Sequence, residues 1–174
     1  MPGRIMILDA CQAISFGNIE RIDLLAELRE VEVRIGAKAL KEVVRDPAAS
    51  LTRAAVADGS LRVESIDLDD PEEADALVRF ESMPAFRGRG DAEVLAIAAS
   101  RGRLVGSDDE AILRIVRRTP GIPGFVSSLD VLVWAIREER LSLEEAERLI
   151  RSLDIGARIR ESLNRRRQAL ADLI

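Results

Sequence analysis

Acidic residues stand at several places in this 174-residue chain from which carboxylates can act together. Asp9 closes a short apolar run, Arg4 to Leu8, that reads as a first strand. Glu42 lies in a helical stretch after a second strand. Asp91 opens an apolar helix behind a Gly-rich turn, and Asp108-Asp109 leaves a brief strand for the start of another helix. In an α/β sheet both kinds of position fall at one rim, where the sites of this architecture usually sit. Carboxylates gathered at a rim repel one another, so at least one should have a raised pKa and the set should titrate as a coupled group. A divalent cation relieves that repulsion. Mg²⁺ and Mn²⁺ take oxygen ligands, and Mg²⁺ keeps several waters, which leaves positions open for chemistry.

Each acid also has a plainer explanation. Asp9 would polarise the turn after a strand, and Glu42 would pair with Lys38, although Lys four residues before Glu is the weaker orientation. Asp91 would be a first-turn acid favoured by the helix dipole, worth well under about 1 kcal/mol. Asp108 or Asp109 would cap its helix. Separately these suffice; they do not explain why acids end the first strand, follow the second, and open both helices of the central stretch.

The elements that position these residues are legible in order. Ala13 onward is amphipathic up to Gly17-Asn18, Ile22 to Leu28 has helical spacing, and Val31 to Ile35 alternates with the period of a strand that Gly36 ends. Ala37 to Arg45 returns to helix, and Asp46-Pro47 ends it and opens another that stops at Asp58-Gly59. Leu61 to Ile66 is a short strand. Asp70-Pro71-Glu72-Glu73 starts a helix that runs to about Ser82. The stretch GRGDAEVLAIAASRGRLVGSDDEAILR then supplies the Gly-rich turn, a helix buried on most sides, Gly102 as its stop, the strand Leu104 to Gly106, and the next helix start. Thr119 to Gly124 is a rigid turn around an edge segment with Ile122 and Phe125. Ser127 with Asp130, and Ser142 with Glu145, have capping-box spacing, and a last amphipathic helix spans roughly Ile159 to Leu173. Strands alternating with helices predict a mostly parallel sheet covered on both faces, followed by a helical C-terminal third.

Composition bounds the function. A chain that is 47% hydrophobic and 33% charged has the makings of one globular domain with a real core. The net charge of −5 argues against a surface basic all over, so nucleic-acid binding would need local patches. Histidine is absent, which removes imidazole ligands and the commonest general base. With 24 arginines to 2 lysines, coding bias or growth temperature explains the ratio as readily as phosphate binding. The single cysteine, Cys11, leaves no internal disulfide and reads as a small buried apolar residue. The start MPGRIMILDA lacks a signal peptide's apolar run and no stretch spans a membrane, so a soluble, cytoplasmic protein is expected.

Four segments, ILDACQAISFGNIERIDLLAEL, VEVRIGAKALKEVVRD, the central stretch, and GIPGFVSSLDVLVWAIREERL, together resemble PIN-domain proteins, and most closely the compact prokaryotic members. The resemblance covers about the first 140 residues. It implies a PIN-like nuclease domain over 1–140 and a C-terminal helical extension over 141–174. The implied fold is a three-layer α/β/α sandwich, ribonuclease H-like, with a mostly parallel central sheet. The implied activity is Mg²⁺- or Mn²⁺-dependent endoribonuclease cleavage of single-stranded RNA, with a homodimer and a small antitoxin protein as partners. Residue by residue, the family's acids fall on Asp9, Glu42, Asp91 and Asp109. Asp109 is preferred over Asp108 because Ser107-Asp108-Asp109 reads as hydroxyl, any residue, acid. Asp9, Asp91 and Asp109 are expected to bind metal, Glu42 to hold a second ion or orient the attacking water, and Glu93 to support from outside. Ala10 and Arg114 depart from the family pattern, in which a small polar residue follows the first acid and an arginine stands one position earlier.

Arg87, Arg89, Arg114, Arg117 and Arg118 are candidates for phosphate contacts, against ordinary solvated arginine. Arg165-Arg166-Arg167 is a further candidate for RNA or partner contact, whereas Trp134 with Leu132 and Val133 reads as core or subunit interface. An aspartyl-phosphate phosphatase would need an acid where Cys11 stands, and a receiver domain would need its acidic pair near the first strand. The stronger rival is a catalytically silent PIN-like module for dimerisation or protein binding.

Overall fold

The computed structural model describes residues 4–153. In chain order the elements are β1 (Arg4–Leu8), α1 (Ala10–Asn18), α2 (Asp23–Ala26), β2 (Val31–Gly36), α3 (Ala37–Glu42), α4 (Ala48–Ala57) and β3 (Arg62–Glu64). They continue with α5 (Pro71–Glu81), α6 (Gly90–Arg101), β4 (Leu104–Gly106), α7 (Glu110–Val116), β5 (Phe125–Val126), α8 (Ser128–Arg137) and α9 (Leu143–Ser152). The five strands form one all-parallel sheet in the order β3-β2-β1-β4-β5. From β1 the chain winds outward through β2 and β3, then crosses back to add β4 and β5 on the other side. The winding therefore reverses between β1 and β4, and the crevice beyond the carboxyl ends of those two strands is where open α/β sheets bind ligands.

The central strand is apolar because both its faces are covered. Met6, Ile7 and Leu8 are fully buried, as are Val94, Leu95 and Ile97 of α6; each such side chain contributes roughly 1.5–3 kcal/mol of burial. Met6 and Leu8 stand in register with Leu104 and Gly106 of β4, and a Cβ on Gly106 would run into Leu8, Met6 and Gln12, so α1 lies hard against this face. Helix α6 packs against α5 and across β1, β2 and β4. Asp70 caps α5 through the Glu72 and Glu73 amides, Gly102 ends α6 at φ 62°, and Ser127 and Asp130 form a reciprocal capping box on α8. Helix α9 packs on α8, and Glu145 pairs with Arg21 ahead of α2.

Several boundaries differ from the expectation. Helix α1 starts at Ala10 rather than Ala13, because Asp9 caps it. Helix α3 ends at Glu42 rather than Arg45, since the chain turns to bury Val43 and leaves Val44 in solvent. Helix α2 and the edge strand β3 are shorter than the apolar patterns Ile22 to Leu28 and Leu61 to Ile66. The helix expected over Ile159 to Leu173 and the Arg165-Arg166-Arg167 run lie outside the described residues. Among those described, no helix is long and apolar enough to cross a membrane.

Candidate carboxylate centre

Asp9 and Ser107 flank the crevice between β1 and β4. The strand pair ends with Leu8 opposite Gly106, and the Asp9 amide donates to the Gly106 carbonyl at 3.0 Å, which sets the two next residues side by side. Asp9 is fully buried. Its Oδ1 accepts from the Gln12 amide at 2.9 Å, and its Oδ2 accepts from the Ser107 hydroxyl. The same hydroxyl accepts from the Asp109 amide at 3.0 Å, so one serine ties the first strand's acid to the last acid of the pair. Desolvation raises the Asp9 carboxyl to about 7, against the lowering effect of its hydrogen bonds and with a further push from Asp91 and Asp108.

Asp91 sits in the first turn of α6, 3% exposed. Its Oδ2 is buried without a hydrogen bond; the nearest cation is the Arg89 Nε, 3.3 Å away on a side chain that is more than half exposed. Desolvation raises its pKa, Arg89 lowers it, and Glu42 and Asp109 raise it further. Glu42, at the end of α3, is exposed and reaches across so that its Oε1 accepts from the Gly90 amide at 2.7 Å. Lys38 pairs with Glu81 at 2.8 Å, so the plain Lys38 to Glu42 pairing is not the one formed. Glu93 is buried and its Oε2 accepts from the Lys38 amide at 2.6 Å. Helices α3 and α6 thus cap each other with one glutamate apiece. Gly90 permits the approach, since a Cβ there would lie 2.7 Å from the Ala39 nitrogen.

The acidic pair divides. Asp108 is turned toward α8, accepting from the Ser128 amide at 2.8 Å and from its hydroxyl, and desolvation raises its pKa. Asp109 caps α7 by accepting from the Ala111 amide at 2.6 Å and is close enough to Asp91 to repel it. Of the arginines, Arg89 pairs with Asp91, Arg87 is exposed, and Arg114 lies on α7 beside a separate groove. Trp134 and Val133 are half-buried and Leu132 is buried, with Trp134 packed on the core.

Cys11 departs from the expectation of a buried apolar residue. It is exposed, because α1 begins one residue after Asp9 and turns this side chain outward over the acids. Desolvation on its inner side, then the charges of Asp9, Asp91 and Asp109, push its thiol up to about 12.

The buried acids elsewhere are treated differently. Glu64 receives Arg101 at 2.7 Å and Arg34 at 3.2 Å, and Glu73 receives Arg101 at 2.6 Å. The Arg101 hydrogen bond holds Glu73 below its ordinary range. Among the described residues Asp9 has no such cation, and Asp91 has only the exposed Arg89. Oxygen-only donors, one of them a buried orphan, fit a hard divalent cation in kind. Their spacing is wider than a finished cage: among the described residues no three acidic or sulfur side chains stand together at ligating distance.

The sheet and its helical layers make an α/β fold, a parallel five-stranded sheet flanked by helices. No family model and no curated protein matches the chain. Among solved structures it is similar to VapBC2 from Rickettsia felis, determined bound to a DNA fragment from their promoter. That likeness has a TM-score of 0.46 and 12% identity, covering 71% of this chain and 98% of that one. A likeness of this extent concerns the course of strands and helices and carries no activity.

Proposed function

We propose that the protein is a divalent-metal-dependent endoribonuclease of the PIN type that cleaves single-stranded RNA. The observation that carries this reading is the pair of buried acids, Asp9 and Asp91, left without a fixed buried cation among the described residues at the point where the sheet's winding reverses. Asp9, Asp91 and Asp109 would hold Mg²⁺ or Mn²⁺, and Glu42 would bind a second ion or orient the attacking water. The ion, when bound, supplies a water of lowered pKa and stabilises charge growing on the phosphate. Ser107 fixes the Asp9 rotamer and joins it to Asp109. Glu93 holds α3 against α6 so that Glu42 and Asp91 face the same space. Arg89 must release Asp91 when a cation enters, which frees its guanidinium for a substrate phosphate.

A homodimer, and a small antitoxin protein that would make this chain a toxin, belong to the same reading and rest on the resemblance alone. One observation favours the catalytically silent module instead: the acids are not drawn to ligating distance of one another. The test is cleavage of a labelled single-stranded RNA with Mn²⁺ and with EDTA, using the wild type and Asp91→Asn. Cleavage that needs Mn²⁺ and is lost in the folded variant supports the nuclease. Undiminished cleavage in the variant, or none in the wild type, overturns it.

A further inference from the structure

Cys11, the chain's single cysteine, stands two residues past Asp9 in the first turn of α1. Its side chain is free and exposed, and Asp9, Asp91 and Asp109 all act on it electrostatically, with Arg89 opposing them. Arg89 and Asp109 act on Asp91 as well. Thiol and carboxylates therefore share one space at the carboxyl ends of β1 and β4.

Asp91 marks the same space independently. It is 3% exposed, and its Oδ2 is buried without a hydrogen bond. The other buried acids, Asp9, Glu64, Glu73 and Glu93, each accept hydrogen bonds. A buried acceptor left unpaired is costly, so this oxygen calls for a ligand that the protein itself does not supply.

A sulfur among oxygens changes which ion the centre prefers. Mg²⁺ and Mn²⁺ take oxygen donors, whereas thiolate is a soft ligand that suits Zn²⁺. Zn²⁺ accepts Cys sulfur and carboxylate oxygen together in a tetrahedron. Asp9, Asp91, Asp109 and Cys11 offer four donors, one from each side chain. A tetrahedral ion held by four protein ligands keeps no open position for water or substrate. The donors stand apart, as carboxylates lacking a cation repel. Cys11, being exposed, closes on an ion by rotation about its χ1. On binding, the thiol gives its proton to solvent and its sulfur lone pair to the metal.

We propose that Zn²⁺ binds this centre through Cys11 together with Asp9, Asp91 and Asp109, and that the thiolate closes the coordination shell and silences the site. The silencing rests on the nuclease reading, because it names how that centre is inhibited. The ligand set does not, and is measured without RNA.

Co²⁺ is the probe. It substitutes for Zn²⁺, and a thiolate ligand gives it an intense near-ultraviolet charge-transfer band that oxygen ligands do not. The full chain, reduced and freed of metal, is titrated with Co²⁺, and Zn²⁺ is then added in competition. With one cysteine in the chain, the band reports Cys11 and no other residue. The wild type is expected to develop the band at one Co²⁺ per chain and to lose it to Zn²⁺. Cys11→Ser should show no band and bind Zn²⁺ at least about tenfold more weakly, since even an outer contact of a metal site is worth that much. Its loss for Mn²⁺ should be smaller. Because the side chain is exposed, the variant is expected to fold, and a thermal melt verifies it. Asp91→Asn should need at least about tenfold more Co²⁺ to develop the band, since thiolate and carboxylate hold one ion.

No band in the wild type overturns the proposal, as does a Zn²⁺ affinity unchanged in Cys11→Ser. A band that Asp91→Asn develops at wild-type Co²⁺ concentrations is adventitious ligation by the thiol alone, and overturns it too. Mn²⁺-dependent RNA cleavage by a protein that gives no band leaves the nuclease reading standing without the Zn²⁺ site. The band on a protein that never cuts RNA leaves the Zn²⁺ site standing and defeats the nuclease reading. In a protein that does both, one equivalent of Zn²⁺ should stop cleavage, and cleavage undiminished by Zn²⁺ overturns the silencing.

Discussion

Asp9→Asn should stabilise the metal-free protein while removing its response to metal. The Asp9 carboxyl is raised from 3.8 to about 7, mainly by burial. At about 1.4 kcal/mol per pKa unit, ionising it in the fold costs on the order of 4 kcal/mol. The folded value lies above the unfolded one, so between about pH 4 and pH 7 the folded chain binds more protons and loses stability as pH rises. Below that window the carboxyl is protonated in both states and the penalty vanishes; above it the penalty is complete. Asp91 and Asp108 are raised and act in the same sense. Glu73, held low by Arg101, acts in the opposite sense, withdrawing stability as pH falls through its ordinary value of 4.5 at the acid end of the window. Asparagine keeps an oxygen for the Gln12 amide and its N–H becomes the donor to Ser107, which leaves the Ser107 proton without its carboxylate acceptor and takes about 1 kcal/mol or more from the gain. Thermal unfolding in EDTA at pH 8 should show the variant more stable by about 2–4 kcal/mol, or roughly 5–15 °C for a chain of this length. The gain should shrink toward pH 5, and Mn²⁺ should raise the wild-type midpoint but not the variant's. A wild type equally stable at pH 5 and pH 8, with no gain in the variant, would refute the argument that burial strains this carboxylate.

Three other perturbations probe the same centre. Glu93→Ala should weaken Mn²⁺ binding about tenfold, as measured by calorimetry, and shift the Gly90 amide resonance, whereas Glu93→Gln, which keeps an acceptor for the Lys38 amide, should restore both. Gly90→Ala should cost about 1–3 kcal/mol of stability in urea unfolding, because the new Cβ is driven into the Ala39 backbone. Arg89→Ala should tighten Mn²⁺ binding by about two- to fivefold, the scale of an exposed ion pair removed as competitor, and raise the KM for RNA.

The carboxyl-end acids were legible in the sequence because they announce local structure. Asp9 ends an apolar run and caps α1, Asp109 caps α7, and Asp91 opens a helix that is apolar from Val94 to Ala99. The alternation of strand and helix gave the parallel sheet. Contacts between distant segments left no such local mark. That Glu42 would turn to the Gly90 amide, and Glu93 to the Lys38 amide, depends on how closely α3 and α6 pack, which Gly90 decides. Spacing offers Lys38 to Glu42 only in the weaker orientation, and α5 brings Glu81 to it instead. Cysteine is usually buried, which is the reading its type suggests for Cys11, but the cap at Asp9 starts the helix early and rotates the thiol outward. Likewise, no spacing rule shows that Arg101 serves Glu64 and Glu73 together, and it is this pairing that sets the structural acids apart from the unneutralised ones.

The account depends on a cation being drawn to Asp9, Asp91 and Asp109, and a crystal grown with Mn²⁺ and measured at the manganese absorption edge tests it most directly. It predicts an anomalous peak at the carboxyl ends of β1 and β4, about 2.0–2.3 Å from oxygens of those three side chains, with the Arg89 guanidinium moved off Asp91. An empty rim at saturating Mn²⁺, or a peak bound only elsewhere on the surface, would contradict it.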